Sequence, residues 1–246
     1  MRHRHRAALP SLAVLLLAAT ALAEDTSAAD EATLKGTVKI KGPIPKRTRI
    51  RVEGDPKCGS MHKEGLWSED VVADAAGRLQ NALVYVKSGL EGKSFEVPKK
   101  PVLLEQKGCR FEPHVLGIMV GQELMIKNGD DLMHIVHVVP RNNREWGFSQ
   151  ARVGETRPKT FEKPELPIRL FCDVHPWMQA WAGVLDHPFH DVTDPRGAFE
   201  IKGLPPGKYV VEVWHETYAA TTHEVELKPR ETKTLAVELV EKIRKD

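Results

Sequence analysis

Apolar residues at every second position, closed off by turn-forming clusters, constrain this chain more than any other feature. Leu34, Gly36, Val38 and Ile40 alternate with Thr33, Lys35, Thr37 and Lys39, and Leu235, Val237 and Leu239 alternate with Thr234, Ala236 and Glu238. That is the period of strands with one buried face. Further β-like runs cover 82–87, 115–119, 123–127, 135–139, 168–172 and 209–214. Between them stand Lys41-Gly42-Pro43, Asn128-Gly129-Asp130, Asp194-Pro195-Arg196-Gly197 and Leu204-Pro205-Pro206-Gly207, which supply the backbone angles turns need. No long helical periodicity competes, so the expected class is all-β. The polar stretch 141–158, with Asn142-Asn143, reads as a long loop, 24–32 as a flexible lead and 241–246 as a solvated tail.

The first residues predict a compartment. Arg2, Arg4 and Arg6 precede an apolar run over 7–19, and Ala21-Leu22-Ala23 precedes the acidic Glu24, the pattern of a cleaved secretory signal over 1–23. An uncleaved anchor is the alternative. No later run approaches the roughly 20 apolar residues that span a bilayer, so the mature chain is expected in the periplasm or outside the cell with no membrane span. The 36 Lys+Arg and 34 Asp+Glu of the whole chain come close to balance once the three signal arginines are removed. Nucleic acid is therefore not an expected partner. The remaining length suits one large or two small domains with ample core.

Three cysteines in an oxidising compartment leave one over. Cys58 and Cys109 each follow turn-forming sequence, Asp55-Pro56-Lys57 and Gln106-Lys107-Gly108. The expected pairing is Cys58 with Cys109, closing about 50 residues and contributing on the order of 4 kcal/mol. In the alternative, Cys172 pairs with one of them and no metal binds.

Cys172 lies in Phe171-Cys172-Asp173-Val174-His175-Pro176-Trp177-Met178, with His134 upstream. One thiolate, two imidazoles and a thioether are what a mononuclear copper electron-transfer site requires. The thiolate and imidazoles suit both oxidation states, and a long axial Met bond tunes the potential. His134, Cys172, His175 and Met178 are the expected metal ligands, and one copper the expected cofactor.

These residues resemble the cupredoxin family. Phe111-x-Pro113, Gly121-Gln122, then Asn128, Asp130 and His134 look like its first-ligand segment, and Cys172-x-x-His175-Pro176-Trp177-Met178 is similar to the ligand loop of amicyanin. The resemblance covers about 101–186. It implies a Greek-key β-sandwich with copper at one end, His134, Cys172 and His175 as strong ligands and Met178 as the weak axial one. Cupredoxins often place Asn directly after the first His, tying the two ligand loops together; this chain has Ile135.

A second resemblance involves the ends of the chain. Val192-Thr193-Asp194-x-x-Gly197-x-Phe199-x-Ile201-x-x-Leu204-Pro205-Pro206-Gly207-x-Tyr209 is similar to the carboxypeptidase regulatory-like, transthyretin-like sandwich. It implies a second, smaller β-sandwich built from 33–97 and 187–240, with the copper domain at 98–186 inserted between. The alternative is a copper domain with a long N-terminal extension and a separate C-terminal module.

Other candidates have bland readings. His114 is expected to be a hydrogen-bonded structural residue, with a supporting role at the metal site as the alternative. His137 would face away from His134 on a strand. His187, His190 and His215 read as scattered surface residues rather than a second metal site. Trp67, Trp146, Trp181 and Trp214 read as core or domain contacts, and Trp177 as an exposed loop aromatic. The expected function is a periplasmic, non-catalytic electron carrier. Its electron would leave through a surface-exposed edge of His175, past Pro176 and Trp177, to a c-type cytochrome or a periplasmic dehydrogenase. The alternatives are a binding or structural sandwich, and an open-site copper protein that takes a small ligand.

Overall fold

The computed structural model describes residues 30–52 and 55–242. The expected signal at 1–23 lies outside the described residues, as do 24–29 and 243–246. The first strand of the described residues is β1 (Ala32–Ile40), so the last residue of the expected lead is already strand. Then come β2 (Arg49–Ile50), helix α1 (Pro56–Met61), β3 (Leu66–Trp67) and β4 (Leu83–Ser88). Nine strands follow: β5 (Val102–Gln106), β6 (Phe111–Glu112), β7 (Val115–Met119), β8 (Leu124–Asn128), β9 (His134–Val138), β10 (Trp146–Gln150), β11 (Thr156–Lys159), β12 (Glu165–Cys172) and β13 (Gln179–Leu185). The described chain closes with β14 (His190–Val192), β15 (Ala198–Leu204), β16 (Gly207–Trp214), β17 (Thr221–Leu227) and β18 (Thr232–Leu239).

The molecule is all-β, and its strands form two sandwiches. The first faces the sheet β15-β1-β18 against the sheet β14-β4-β16-β17. β1 runs antiparallel to β15 and parallel to β18, so the beginning and end of the described chain share one sheet. Alternation along β1 sends Leu34 and Val38 into a core with Val84, Val211 and Leu239. The second sandwich faces β10-β9-β12-β13-β7 against β11-β8-β5-β6. Its core holds Leu104, Phe111, Ile118, Ile126, Val136 and Leu170.

Residues 49–52 and 55–67 depart from the expected division. β2 and β3 pair as a separate two-stranded ribbon, and Val52, Cys58 and Leu66 bury themselves in the core of the second sandwich. The segment crosses over as a strap because its few apolar side chains find their partners there. The turn expected at Asp55-Pro56-Lys57 is the start of α1. The Asp55 carboxylate accepts the N–H groups of Lys57 and Cys58, and Pro56 begins the helix, an N-cap followed by a residue with no N–H to leave unpaired.

The expected loop at 141–158 is also corrected. β10 lies inside it and β11 begins in it. β10 pairs with β9, from Trp146 opposite Val138 to Gln150 opposite His134. Trp146 and Phe148 stack at 5.7 Å and pack on the second core, which outweighs the polar character of their neighbours. The preceding Asn142-Asn143 turn is held by Glu165, whose carboxylate accepts the backbone N–H groups of Arg141, Asn142 and Asn143.

The sandwiches meet at a small apolar seam of Leu83, Val115 and Trp214, flanked by Trp181. Next to it, His114 donates through Nδ1 to the Gln179 carbonyl and through Nε2 to Glu216 of the first sandwich. Gly117 of β7 is needed for the approach of β14, because a Cβ there would lie 2.3 Å from Nδ1 of His190. Three readings change. His187 and His215 are buried rather than superficial, and burial lowers His190 and His215 to about 4, so both rings are neutral packing elements. Trp67 is 41% exposed rather than a core contact, because it lies on the outer side of the strap.

Candidate metal centre

The site forms where β9 begins and β12 ends. Cys172 is the last residue of β12, and β13 starts at Gln179, so the loop between the two antiparallel strands is short. It is closed by Met178 N–H donating to the His175 carbonyl at 2.8 Å and Cys172 N–H to the Met178 carbonyl at 3.2 Å. Pro176 lies between, fixing one backbone angle. Ile135 joins the two segments through its backbone. Its N–H donates to Cys172 Sγ at 3.5 Å, and its carbonyl accepts from Asp173 N–H at 3.0 Å. The segments that carry His134 and Cys172 are therefore joined without an amide side chain at 135.

His134, Cys172 and His175 converge. His134 Nδ1 and His175 Nδ1 lie 3.0 Å apart, and Cys172 Sγ is 3.9 Å from the first and 3.6 Å from the second. A triangle with these sides is acute, and its centre lies about 2.1 Å from each corner, the length of first-row metal bonds to imidazole and close to those to thiolate. Met178, the expected axial residue, is buried in the second core at 1% exposure.

Each imidazole is held from behind by a carboxylate. His134 Nε2 is 3.0 Å from Asp130 Oδ2, and His175 Nε2 is 3.2 Å from Asp55 Oδ2. Burial pushes the Asp130 carboxyl up, but His134 and the N–H groups of Cys109 and Gly108 outweigh it and hold Asp130 low. The Cys58 N–H leads the effects that hold Asp55 low. Both carboxylates are therefore ionised acceptors at neutral pH, and each Nε2 must carry the proton. Each Nδ1 is thereby turned towards Cys172, where it would bind a metal once its own proton is released.

The thiol is prepared in the same way. Burial pushes Cys172 up, but His134, His175 and the N–H groups of Ile135 and Val174 bring it down to about 6. A thiolate is thus available at neutral pH, as the sulfur ligand of a metal must be. Both imidazoles are raised: burial works against their charge, while Asp130 and Cys172 support it on His134, and Cys172 and Asp55 on His175. The donor set fits a soft, trigonally coordinated ion such as copper.

Two expectations about this end of the molecule are corrected. His175 is 4% exposed, because the strap lays Asp55 over its Nε2 edge. Trp177 is half-buried, donating from Nε1 to the Cys109 carbonyl at 3.1 Å and packing on the second core. The outer surface of the loop is instead Val174, at 40% exposure, and Pro176. His137 points away from the group towards Asp173 and Glu145, at 3.2 and 3.0 Å. Cys58 and Cys109 form a disulfide with a Cα–Cα distance of 5.8 Å, next to His175. Sequence reasoning missed the roles of Asp55 and Asp130. Asp130 has a signal, an acid four residues before the expected His ligand; Asp55 has none, since it reaches His175 only through the fold.

Residues 186–240 match the Carboxypeptidase regulatory-like domain. None of the curated proteins matches the chain. Among solved structures, the copper-containing nitrite reductase of Thermus scotoductus SA-01 is similar at 26% identity and a TM-score of 0.34, over 42% of this chain and 26% of that one. The chain thus spans about a quarter of that enzyme's length. A purple cupredoxin from Nitrosopumilus maritimus is similar at 18% identity and a TM-score of 0.30, over 34% of this chain and 98% of that one. A Cu(I) amicyanin variant is similar at 19% identity and a TM-score of 0.31, over 41% and 97%. The chain is an all-β protein that carries, at 186–240, a match to the Carboxypeptidase regulatory-like domain, and its neighbours among solved structures include cupredoxins and a copper nitrite reductase.

Proposed function

We propose that this protein is a periplasmic or secreted electron carrier with one copper held by His134, Cys172 and His175, and by Met178 as a weak axial ligand. The observation that supports this reading is the convergence of two Nδ1 atoms and a low-lying thiol on one point, with each Nε2 facing a carboxylate. A copper ion held there would supply one-electron cycling between Cu(I) and Cu(II). The protein's part is to keep the donors fixed. The Ile135 backbone tie, the closed Cys172–Met178 loop and the two carboxylates leave His134, Cys172 and His175 little freedom to rearrange when the charge changes.

On this reading the electron leaves beside His175, whose Nε2 edge is bonded to Asp55. His175 is separated from solvent by the Asp55 carboxylate, which is itself 32% exposed, so the covering layer is one side chain thick. Val174 and Pro176 provide a small apolar rim next to it, fitting the small, transient contacts of redox encounters. A c-type cytochrome or a periplasmic dehydrogenase is the partner this reading proposes. Voltammetry of the copper-loaded protein tests it: a reversible one-electron wave that moves to lower potential in Met178→Gln is expected, since an axial thioether favours Cu(I). An irreversible response, or a wave unmoved by the substitution, would contradict it.

A further inference from the structure

The strap, 49–52 and 55–67, meets the Nε2 edge of His175 through Asp55, and it is held down around that residue. The Cys58–Cys109 disulfide ties α1 to the second sandwich, His62 Nε2 bonds the Gly108 carbonyl at 2.6 Å, and the Lys57 ammonium bonds the backbone carbonyl and the carboxylate of Asp131. The result is a stiff N-terminus for α1, with Asp55 as its cap. Oδ1 of Asp55 accepts the Lys57 and Cys58 N–H groups, each at 2.9 Å. Oδ2 is thereby directed at His175 Nε2, 3.2 Å away.

The arrangement is symmetrical about the disulfide. Cys58 N–H donates to Asp55, which holds His175; Cys109 N–H donates to Asp130 at 2.8 Å, which holds His134. The two imidazoles that face each other across the candidate site are thus oriented by carboxylates anchored on the two halves of one cross-link. His134 receives its carboxylate from its own turn, four residues earlier. His175 receives its carboxylate from a segment 120 residues away, which only the strap delivers.

We infer that Asp55 is a positioning residue for His175: delivered by the disulfide-tethered strap, it holds the Nε2 proton, aims Nδ1 at Cys172 and adds negative charge beside the metal centre. This rests on the proposed copper reading. A carboxylate on the far nitrogen makes an imidazole a more basic ligand and fixes its ring orientation. The more basic ligand favours the more highly charged ion, so Asp55 lowers the reduction potential and slows metal loss.

Two substitutions separate this role from simple helix capping. Asp55→Asn keeps the cap, since Asn serves as well as Asp there, but it removes the charge. Asp55→Ser also caps, but is too short to reach His175. With copper bound, both variants should show a higher midpoint potential and a shifted absorption or electron paramagnetic resonance signature. Asp55→Ser should also lose copper to a chelator about ten-fold or more faster. In the copper-free protein, nitrogen-15 spectra should show a slowly exchanging proton on His175 Nε2, and both variants should lose that protection. If both variants keep the wild-type potential, spectrum and His175 proton exchange, Asp55 is a helix cap only and the inference is overturned. If the wild-type protein binds no copper, the copper reading fails, while the copper-free spectra still decide whether Asp55 holds the His175 proton.

Discussion

Replacing Cys58 and Cys109 together by Ala should destabilise the copper-free protein by about 4 kcal/mol. The cross-link closes a loop with a sequence separation of 51, and in the chain-entropy treatment a loop of that length restricts the unfolded chain by roughly this amount at 25 °C. Both cysteines are 0% exposed in the core of the second sandwich, and Ala leaves small voids that add to the loss. A domain of this size loses about 2–4 °C of thermal midpoint per kcal/mol, so the midpoint should fall by roughly 8–16 °C. Thermal unfolding followed by circular dichroism measures this, with copper excluded because a bound ion would raise both midpoints by mass action. Hydrogen exchange adds a local readout: amides of α1, including those of Lys57 and Cys58 that cap on Asp55, should lose protection more than those of β12 and β13. A midpoint within 3 °C of wild type, with α1 still protected, would refute the reasoning. It would mean that Val52, Leu66 and Trp177 hold the strap without the cross-link.

Three further outcomes are expected. Gly117→Ala should cost about 1–3 kcal/mol in a denaturant titration, because its Cβ would meet the ring of His190 between packed strands; a neutral effect would mean that the seam is loose. His114 is raised although burial opposes its charge, because it faces Glu216, with Glu69 and the Gln179 carbonyl adding to the effect. A raised imidazole stabilises the fold below its unfolded value, about 6.5, and the contribution is lost as pH rises through the folded value. The thermal midpoint should therefore fall on that upward titration and the fall should flatten in Glu216→Gln; an unchanged slope would contradict the pairing. Finally, alkylation of Cys172 in the copper-free protein should show a midpoint at about pH 6 and be suppressed by copper, whereas a midpoint near the ordinary thiol value would show that His134 and His175 do not stabilise the thiolate.

The centre was partly legible in the sequence because its densest part is local. Cys172, His175 and Met178 fall within one short loop, where spacing alone limits what the side chains can reach. His134 needed the strand alternation that points it inward and His137 outward. The strands at 115–119, 168–172 and 209–214 were visible because their apolar residues recur at period two or in short buried runs. β10 was not, because Trp146 and Phe148 are surrounded by Arg, Asn, Glu and Gly, and their burial depends on the neighbouring β9. The strap was missed for the same kind of reason. Val52 and Leu66 are apolar in any environment, and nothing local tells which of two cores will receive them. Asp55 is the clearest case: in sequence it is a turn residue or helix cap, and its second task exists only because a disulfide and a packed hairpin bring it to a histidine far along the chain.

The visible spectrum of the copper-loaded protein, set beside that of Cys172→Ser, tests the central claim most directly. A thiolate-to-copper charge-transfer band requires a covalent sulfur ligand. The account predicts one copper per chain, an intense band in the wild-type protein and loss of that band in Cys172→Ser. A copper-loaded wild-type protein without the band, or a band that survives the loss of the thiolate, would contradict it.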